Sequence, residues 1–294
     1  MAMLMKTALF GNRYQASKSI YLERILKTLQ DHSVHFCVEN EFAAFITSEL
    51  GIPLSDLDCF EGNDFNADIA ISVGGDGTFL STVAKLHGRD IPVLGVNTGR
   101  LGFLADVDPA HFAEALQALQ EGRYRTETHS LIQTQTTTEG LQIPPFALNE
   151  IALLKHDNSS TIDIFVEVNG ETLTRYVADG LVVSTPTGST GYNLSSGGPI
   201  IHPGADVFCL TPVAPHSLSI RPIVLPDSVT ITLRVKSRMG RYLLAIDGRS
   251  KSLPDNVTIS LQRAQWNVRV LKIFHTEYFN TLREKLGWDG ALIK

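Results

Sequence analysis

A chain of 294 residues, 43% apolar and 19% charged, has the composition of a folded globular protein of roughly two domains, which excludes disorder, collagen and coiled coil as its main architecture. Its net charge of −6 argues against nucleic acid as the main partner, because backbone binding relies on a basic surface, but leaves a local site for a small anion open. Cys37, Cys59 and Cys209 are too few and too far apart for a disulfide framework or a four-thiolate zinc site, and no apolar run approaches the roughly 20 residues that span a bilayer. Reduced thiols, a cytoplasmic location and no membrane partner are therefore expected. Residues 1–10 carry Lys6 in their middle and no long apolar stretch, so no secretory signal is expected either.

Ile20, Leu22, Ile25, Leu26 and Leu29 recur at helical spacing, residues 34–38 read as a short strand, and residues 41–50 as a second helix. Residues 67–73 (ADIAISV) are a short apolar run closed by glycines, as in a buried parallel strand. Phe79, Leu80, Val83 and Leu86 suit one helical face, residues 91–96 the next strand, and Asp108 followed by Pro109 opens a helix that buries Phe112, Leu116 and Leu119. This alternation predicts an α/β domain with a Rossmann-like parallel sheet over residues 1–125.

From about Tyr124 the texture changes to short alternating segments at 161–168, 172–177, 228–236, 242–246, 257–261 and 267–274, with Asn169-Gly170 as a hairpin turn between the first two. A mainly antiparallel β domain is expected over residues 126–274. Residues 278–286 return to helical spacing, so the tail, 275–294, is expected to join the first domain.

Gly74-Gly75-Asp76-Gly77-Thr78 lies directly between the 67–73 strand and the Phe79 helix. Glycines allow close backbone approach and a helix N-terminus offers unpaired N–H groups, so Gly74, Gly75, Gly77 and Thr78 suit a polyphosphate. The segment is neither a Walker A loop nor the dinucleotide fingerprint, whose third glycine is replaced by Leu80. A tight strand-to-helix turn with Asp76 as helix cap explains the same residues. If phosphates do bind, the Asp76 carboxylate needs a reason to sit among them: accepting the proton of a hydroxyl nucleophile, or holding Mg²⁺. Both point to phosphoryl transfer.

Residues 97–104 (NTGRLGFL) follow the next strand and so share the carboxyl edge of the sheet, with Phe103 either stacking on a base or filling core. In the second half, Asn149-Glu150, Ala178-Asp179-Gly180 and residues 184–200 (STPTGSTGYNLSSGGPI) are rich in hydrogen-bonding groups. The last is either a surface loop or a loop that binds a polar ligand such as a sugar ring.

Taken in order, GGDGT (74–78), NTGRLGF (97–103), NE (149–150), ADG (178–180) and residues 184–200 resemble the bacterial NAD kinases, and RPIVLP (221–226) and FNTLREKLGW (279–288) are similar to that family too. GGDG alone is shared with diacylglycerol and sphingosine kinases and with 6-phosphofructokinases. The resemblance implies transfer of the γ-phosphoryl group of ATP, or of inorganic polyphosphate, to the 2′-hydroxyl of the adenosine ribose of NAD. It implies Asp76 as proton acceptor with Gly77 beside the substrate, Asn149 and Glu150 at the adenosine, and Asp179 near the nicotinamide carboxamide. It also implies a dinucleotide-lining loop of Thr190, Gly191, Tyr192, Asn193, Leu194 and Ser195, and Phe103 near the adenine. Mg²⁺ or another divalent cation is implied with ATP, bound largely through the phosphates, and a homodimer or homotetramer as the assembly.

The chain departs from the family where many relatives carry a basic residue and it has Val177, and where alanine is common and it has Gly191. Arg249, beside the Asp247-Gly248 turn, and His216 are left without an assigned role. Rival readings are a GGDG-type kinase of a lipid or sugar phosphate, and a nucleotide sensor without turnover.

Overall fold

The structure is a computed structural model that describes residues 5–12, 19–52, 58–99, 102–138, 140–156, 160–274 and 277–288. Its chain divides into two compact units: one runs through Thr128 and resumes at Val268, and the other holds His129–Asn267.

The first unit contains β1 (Lys6–Gly11), α1 (Ser19–Asp31), β2 (His35–Glu39), α2 (Asn40–Ser48), β3 (Asp58–Phe60), β4 (Ile69–Gly74), α3 (Asp76–Leu86), β5 (Val93–Asn97), a 3-10 turn at Pro109–His111, α4 (Phe112–Gln120) and β6 (Arg125–His129). The helical segments fall where apolar spacing placed them. In α1 it is Leu22, Ile25, Leu26 and Leu29 that are buried, while Ile20 is 65% exposed. Asp108 caps the helical start as its composition suggests, accepting the Ala110 N–H at 2.7 Å. The core of this unit joins Leu9, Ile71, Val73, Leu94 and Val96 of the strands to the apolar faces of α1, α2 and α4.

The second unit contains β7 (Ile132–Thr136), β8 (Phe146–Ala147), β9 (Glu150–Lys155), β10 (Ile162–Val168), β11 (Glu171–Ala178), β12 (Gly180–Ser184), a 3-10 turn at Thr187–Thr190, α5 (Tyr192–Ser195), β13 (Val207–Val213), β14 (Ile223–Pro226), β15 (Ile231–Lys236), β16 (Arg241–Ile246), β17 (Arg249–Pro254) and β18 (Thr258–Arg263). They form two six-stranded sheets, ordered β11-β10-β15-β18-β7-β8 and β14-β13-β12-β9-β16-β17. Among the described residues their strands pair antiparallel throughout. Both contribute to one core, Ile164, Val166, Leu233 and Ile259 from the first and Ile151, Leu153, Val183, Phe208 and Leu244 from the second. Asn169 and Gly170 turn the β10–β11 hairpin with φ of 52° and 82°, the left-handed conformation that an Asn-Gly pair tolerates.

The last described elements are β19 (Val268–Lys272) and α6 (Tyr278–Leu286). Here the structure differs from the sequence reading, which placed residues 267–274 in the antiparallel domain. β19 instead completes the first sheet, ordered β3-β2-β1-β4-β5-β19-β6, pairing parallel with β5 through Val270 and Val93. Its four buried positions out of five show why: a strand covered on both faces has no alternation to reveal its sheet. In this sheet the pairs from β3 through β19 are parallel. β1 leads outward to β2 while β4 leads the other way to β5, so the topology reverses between β1 and β4, the position at which open α/β sheets bind ligands beyond their carboxyl ends.

Candidate functional site

In the first unit, two loops leave the carboxyl edge of the sheet side by side. Gly75 is the N-cap of α3 and supplies no side-chain cap; Asp76 is the first helical residue. Its carboxylate does not turn back onto α3. Oδ2 accepts the Phe103 N–H at 2.9 Å, and Oδ1 accepts those of Leu104 and Ala105, each at 3.1 Å. Asp76 therefore does not cap the helix, one of the readings that the sequence left open.

The second loop is shaped to receive that carboxylate. After β5 the chain makes an excursion and returns at Val107, which bridges Val96. Asn97 closes the excursion from within, its Nδ2 donating to the Ala105 carbonyl at 3.1 Å and its Oδ1 accepting the Gly99 N–H at 2.8 Å. Thr98 N–H reaches the Gly74 carbonyl at 3.1 Å, tying the two loops together. Gly102 has to be glycine here, since a Cβ would stand 2.0 Å from Asp76 Oδ1. Gly75 and Gly77 are different: beyond its own neighbours in chain and helix, a Cβ at either would meet none of the described residues within 4 Å, and neither has a positive φ. Arg100 and Leu101 lie outside the described residues. Phe103 is half-buried, its ring centroid 6.2 Å from that of Tyr278 and 5.7 Å from Lys285 Nζ. A cavity of about 220 Å³ adjoins α3, lined by Gly11, Asn12, Glu41, Phe42, Thr78, Ser81 and Lys85.

In the second unit, the sequence-predicted residues converge on the start of β9. Asp247, in the turn between β16 and β17, accepts three consecutive backbone N–H groups, from Leu148, Asn149 and Glu150, at 2.8–3.1 Å. Asn149 Oδ1 and Glu150 Oε2 are buried acceptors with no hydrogen-bond partner among the described residues. Burial first and Asp247 second push the Glu150 carboxyl up to about 7, against a backbone hydrogen bond from Tyr192. The Tyr192 hydroxyl is held above its usual range by burial and then by Glu150 and Asp179, so these three groups share one neighbourhood. Asp179 pairs with Lys155 at 2.9 Å, a basic partner supplied by β9.

The glycines of the 184–200 loop fit this packing. A Cβ on Gly188 would lie 2.1 Å from the Asn149 carbonyl oxygen, and one on Gly191 3.1 Å from Glu150 Oε2. Asn193 departs from the expected ligand contact: its side chain is fully buried, donating to the Ser189 and Pro199 carbonyls and accepting from Thr211 Oγ1. It holds the loop, beneath the half-buried Thr190 and Leu194 and the exposed Tyr192 and Ser195. His216 donates its backbone N–H to the Val177 carbonyl, and Arg249 Nε donates to the Ile246 carbonyl. Sequence reasoning missed Asp247 as an organiser; its Asp-Gly turn was legible, but its partners lie about a hundred residues away. Among the described residues no cluster of three His, Cys, Asp or Glu is arranged to hold a metal ion.

Two family models match the chain, the ATP-NAD kinase N-terminal domain over residues 7–124 and the ATP-NAD kinase C-terminal domain over residues 148–272. The chain is 47% identical to a Bacteroides fragilis protein named NAD kinase, over 97% of this chain and 99% of that one. It is 40% identical to one of the same name from Porphyromonas gingivalis, over 98% and 99%. Among solved structures it is similar to yeast NADH kinase complexed with NADH, at 25% identity and a TM-score of 0.85 over 97% of this chain and 88% of that one. It is also similar to an NAD kinase from Archaeoglobus fulgidus in complex with ATP, at 26% identity and a TM-score of 0.73 over 96% and 98%.

Proposed function

The chain belongs to the NAD kinase family, and on that premise we propose that it transfers the γ-phosphoryl group of ATP to the 2′-hydroxyl of the adenosine ribose of NAD, yielding NADP and ADP. The observation that carries the mechanism is the seat of Asp76. A carboxylate offers about four lone-pair positions. Among the described residues two amides occupy Oδ1 and one occupies Oδ2, which leaves a position on Oδ2 for a hydroxyl donor.

A ribose hydroxyl is a poor nucleophile. In this reading its proton passes to Asp76 Oδ2 as O2′ forms its bond to the γ-phosphorus, the bond from that phosphorus to the β–γ bridging oxygen breaks, and ADP departs with the electron pair. Gly74, Gly75, Gly77 and Thr78 bring the N-terminus of α3 to the phosphates, the Thr78 N–H itself being held by the Gly75 carbonyl, and the open backbone at Gly75 and Gly77 supports that approach. The unpartnered acceptors of Asn149 and Glu150 suit the amino and hydroxyl donors of adenosine. Asp179 suits the amide donors of the nicotinamide carboxamide, Phe103 lies at the adenine, and the backbone and exposed side chains of Thr190–Ser195 line the dinucleotide. Mg²⁺ enters as part of the ATP substrate, held through its phosphates, and no protein ligand is assigned to it.

A cytoplasmic homodimer or homotetramer is part of the same proposal and rests on the family resemblance. No described helix is long and apolar enough to cross a membrane. The test is product identity: the purified chain with NAD, ATP and Mg²⁺ should form a dinucleotide that an NADP-specific dehydrogenase reduces. Phosphorylation of a diacylglycerol or sugar phosphate in preference to NAD, or NAD binding without turnover, would contradict the reading.

A further inference from the structure

Lys272 ends β19 on the carboxyl edge of the first sheet, the edge from which both loops of the first unit emerge. It is a lysine with only 5% of its side chain exposed. Removing an ammonium from water is costly unless its donors are satisfied, and here two partners are close at hand. Nζ donates to Asp106 Oδ2 at 2.8 Å and to the Phe103 carbonyl oxygen at 3.3 Å. Asp106 is itself 8% exposed.

The Phe103 carbonyl belongs to the same planar peptide unit as the Leu104 N–H, which donates to Asp76 Oδ1. One peptide thus has an ammonium at its oxygen and a carboxylate at its hydrogen, an arrangement in which each hydrogen bond polarises the other. The Phe103 and Ala105 N–H groups, on either side of that unit, also donate to Asp76. Asp106, one residue further on, is pinned by the same ammonium.

We propose that Lys272 is a positioning residue for phosphoryl transfer: by holding the Phe103 carbonyl and Asp106 together it fixes residues 103–105, and so sets the place and orientation of the Asp76 carboxylate. This rests on the reading of Asp76 as the proton acceptor and extends it to a residue that never touches substrate.

The test removes both buried charges at once, so that neither is stranded, in Asp106→Leu/Lys272→Met, a replacement of near-equal volume. The expected result is a folded protein whose kcat for NADP formation falls between about tenfold and a hundredfold, as a misplaced catalytic group costs, while KM for NAD stays the same. Amide hydrogen exchange at residues 103–105 should become faster than in the parent. Added to Asp76→Asn, the same pair of changes should cause no further loss, because it acts through that carboxylate. Unchanged kcat in the folded double variant, or a full additional loss on top of Asp76→Asn, would overturn the proposal. If the double variant does not fold, Lys272→Gln decides: a lower kcat with KM retained supports the positioning role, and full activity or failure to fold assigns Lys272 to stability alone. Full activity in Asp76→Asn itself would sink the reading of the base, an outcome separate from all of these.

Discussion

The Asp76 carboxylate has little freedom, and Gly102 is the residue that grants it space. An alanine there places Cβ 2.0 Å from Oδ1, within the carboxylate's own volume, so the acid or the loop has to move. Gly102→Ala is expected to lower kcat by about a hundredfold, the cost of shifting a reacting group by about 1 Å, with a smaller effect on KM for NAD. Steady-state kinetics check it. Glu150 gives a second prediction, through pH. A carboxyl raised on folding holds its proton to higher pH in the folded chain, so its contribution to stability is complete below its ordinary value of 4.5 and is lost as pH climbs through about 7. Between pH 5 and pH 8 the melting temperature of the parent should therefore fall further than that of Glu150→Gln. Equal falls, read by calorimetry, would contradict a buried, raised carboxyl.

At the scale of elements, β16 buries Tyr242 completely in the core shared by the two antiparallel sheets, and its hydroxyl has no hydrogen-bond partner among the described residues. A buried polar group left unpaired costs roughly 1–3 kcal/mol. Tyr242→Phe is expected to raise stability by on the order of 1 kcal/mol, measurable by urea denaturation, unlike most substitutions of large core residues. Two aspartates, one in each unit, use one device: Asp76 gathers the amides of 103–105 and Asp247 those of 148–150. The glycine loop around the first and the Asp-Gly turn around the second were visible in the sequence. The amides they bind were not, because nothing in residue spacing records a contact across 27 or 97 positions. Strands divided in the same way. β10, β11 and β15 announce themselves by alternation or by a turn, whereas β12 and β13, buried at nearly every position beside polar motifs, carry no period to read.

For the whole molecule, the two units could be expected from the change of texture near Tyr124, since strand–helix alternation and short alternating strands are patterns of different layers. The return of the chain to the first sheet could not, because β19 reads as any short apolar run. That return makes the first unit discontinuous, with an interior strand supplied from beyond the second. Truncation after Asn267 removes β19 from between β5 and β6 and leaves both with an unpaired edge. Such a chain is expected to lose the cooperative thermal transition of the first unit, while the antiparallel unit, which lacks none of its strands, keeps its own. Differential scanning calorimetry distinguishes this from a truncation that melts as the parent does. The proposed reaction turns on the smallest scale within this frame, the proton of one hydroxyl. Its most direct test is the initial rate of NADP formation by Asp76→Asn beside the parent chain, at saturating NAD and ATP, with thermal melting as the control for folding. A positioned base contributes roughly 10²–10⁴-fold, so the account predicts a loss at least that large in a protein that melts normally; turnover at the parent rate would contradict it.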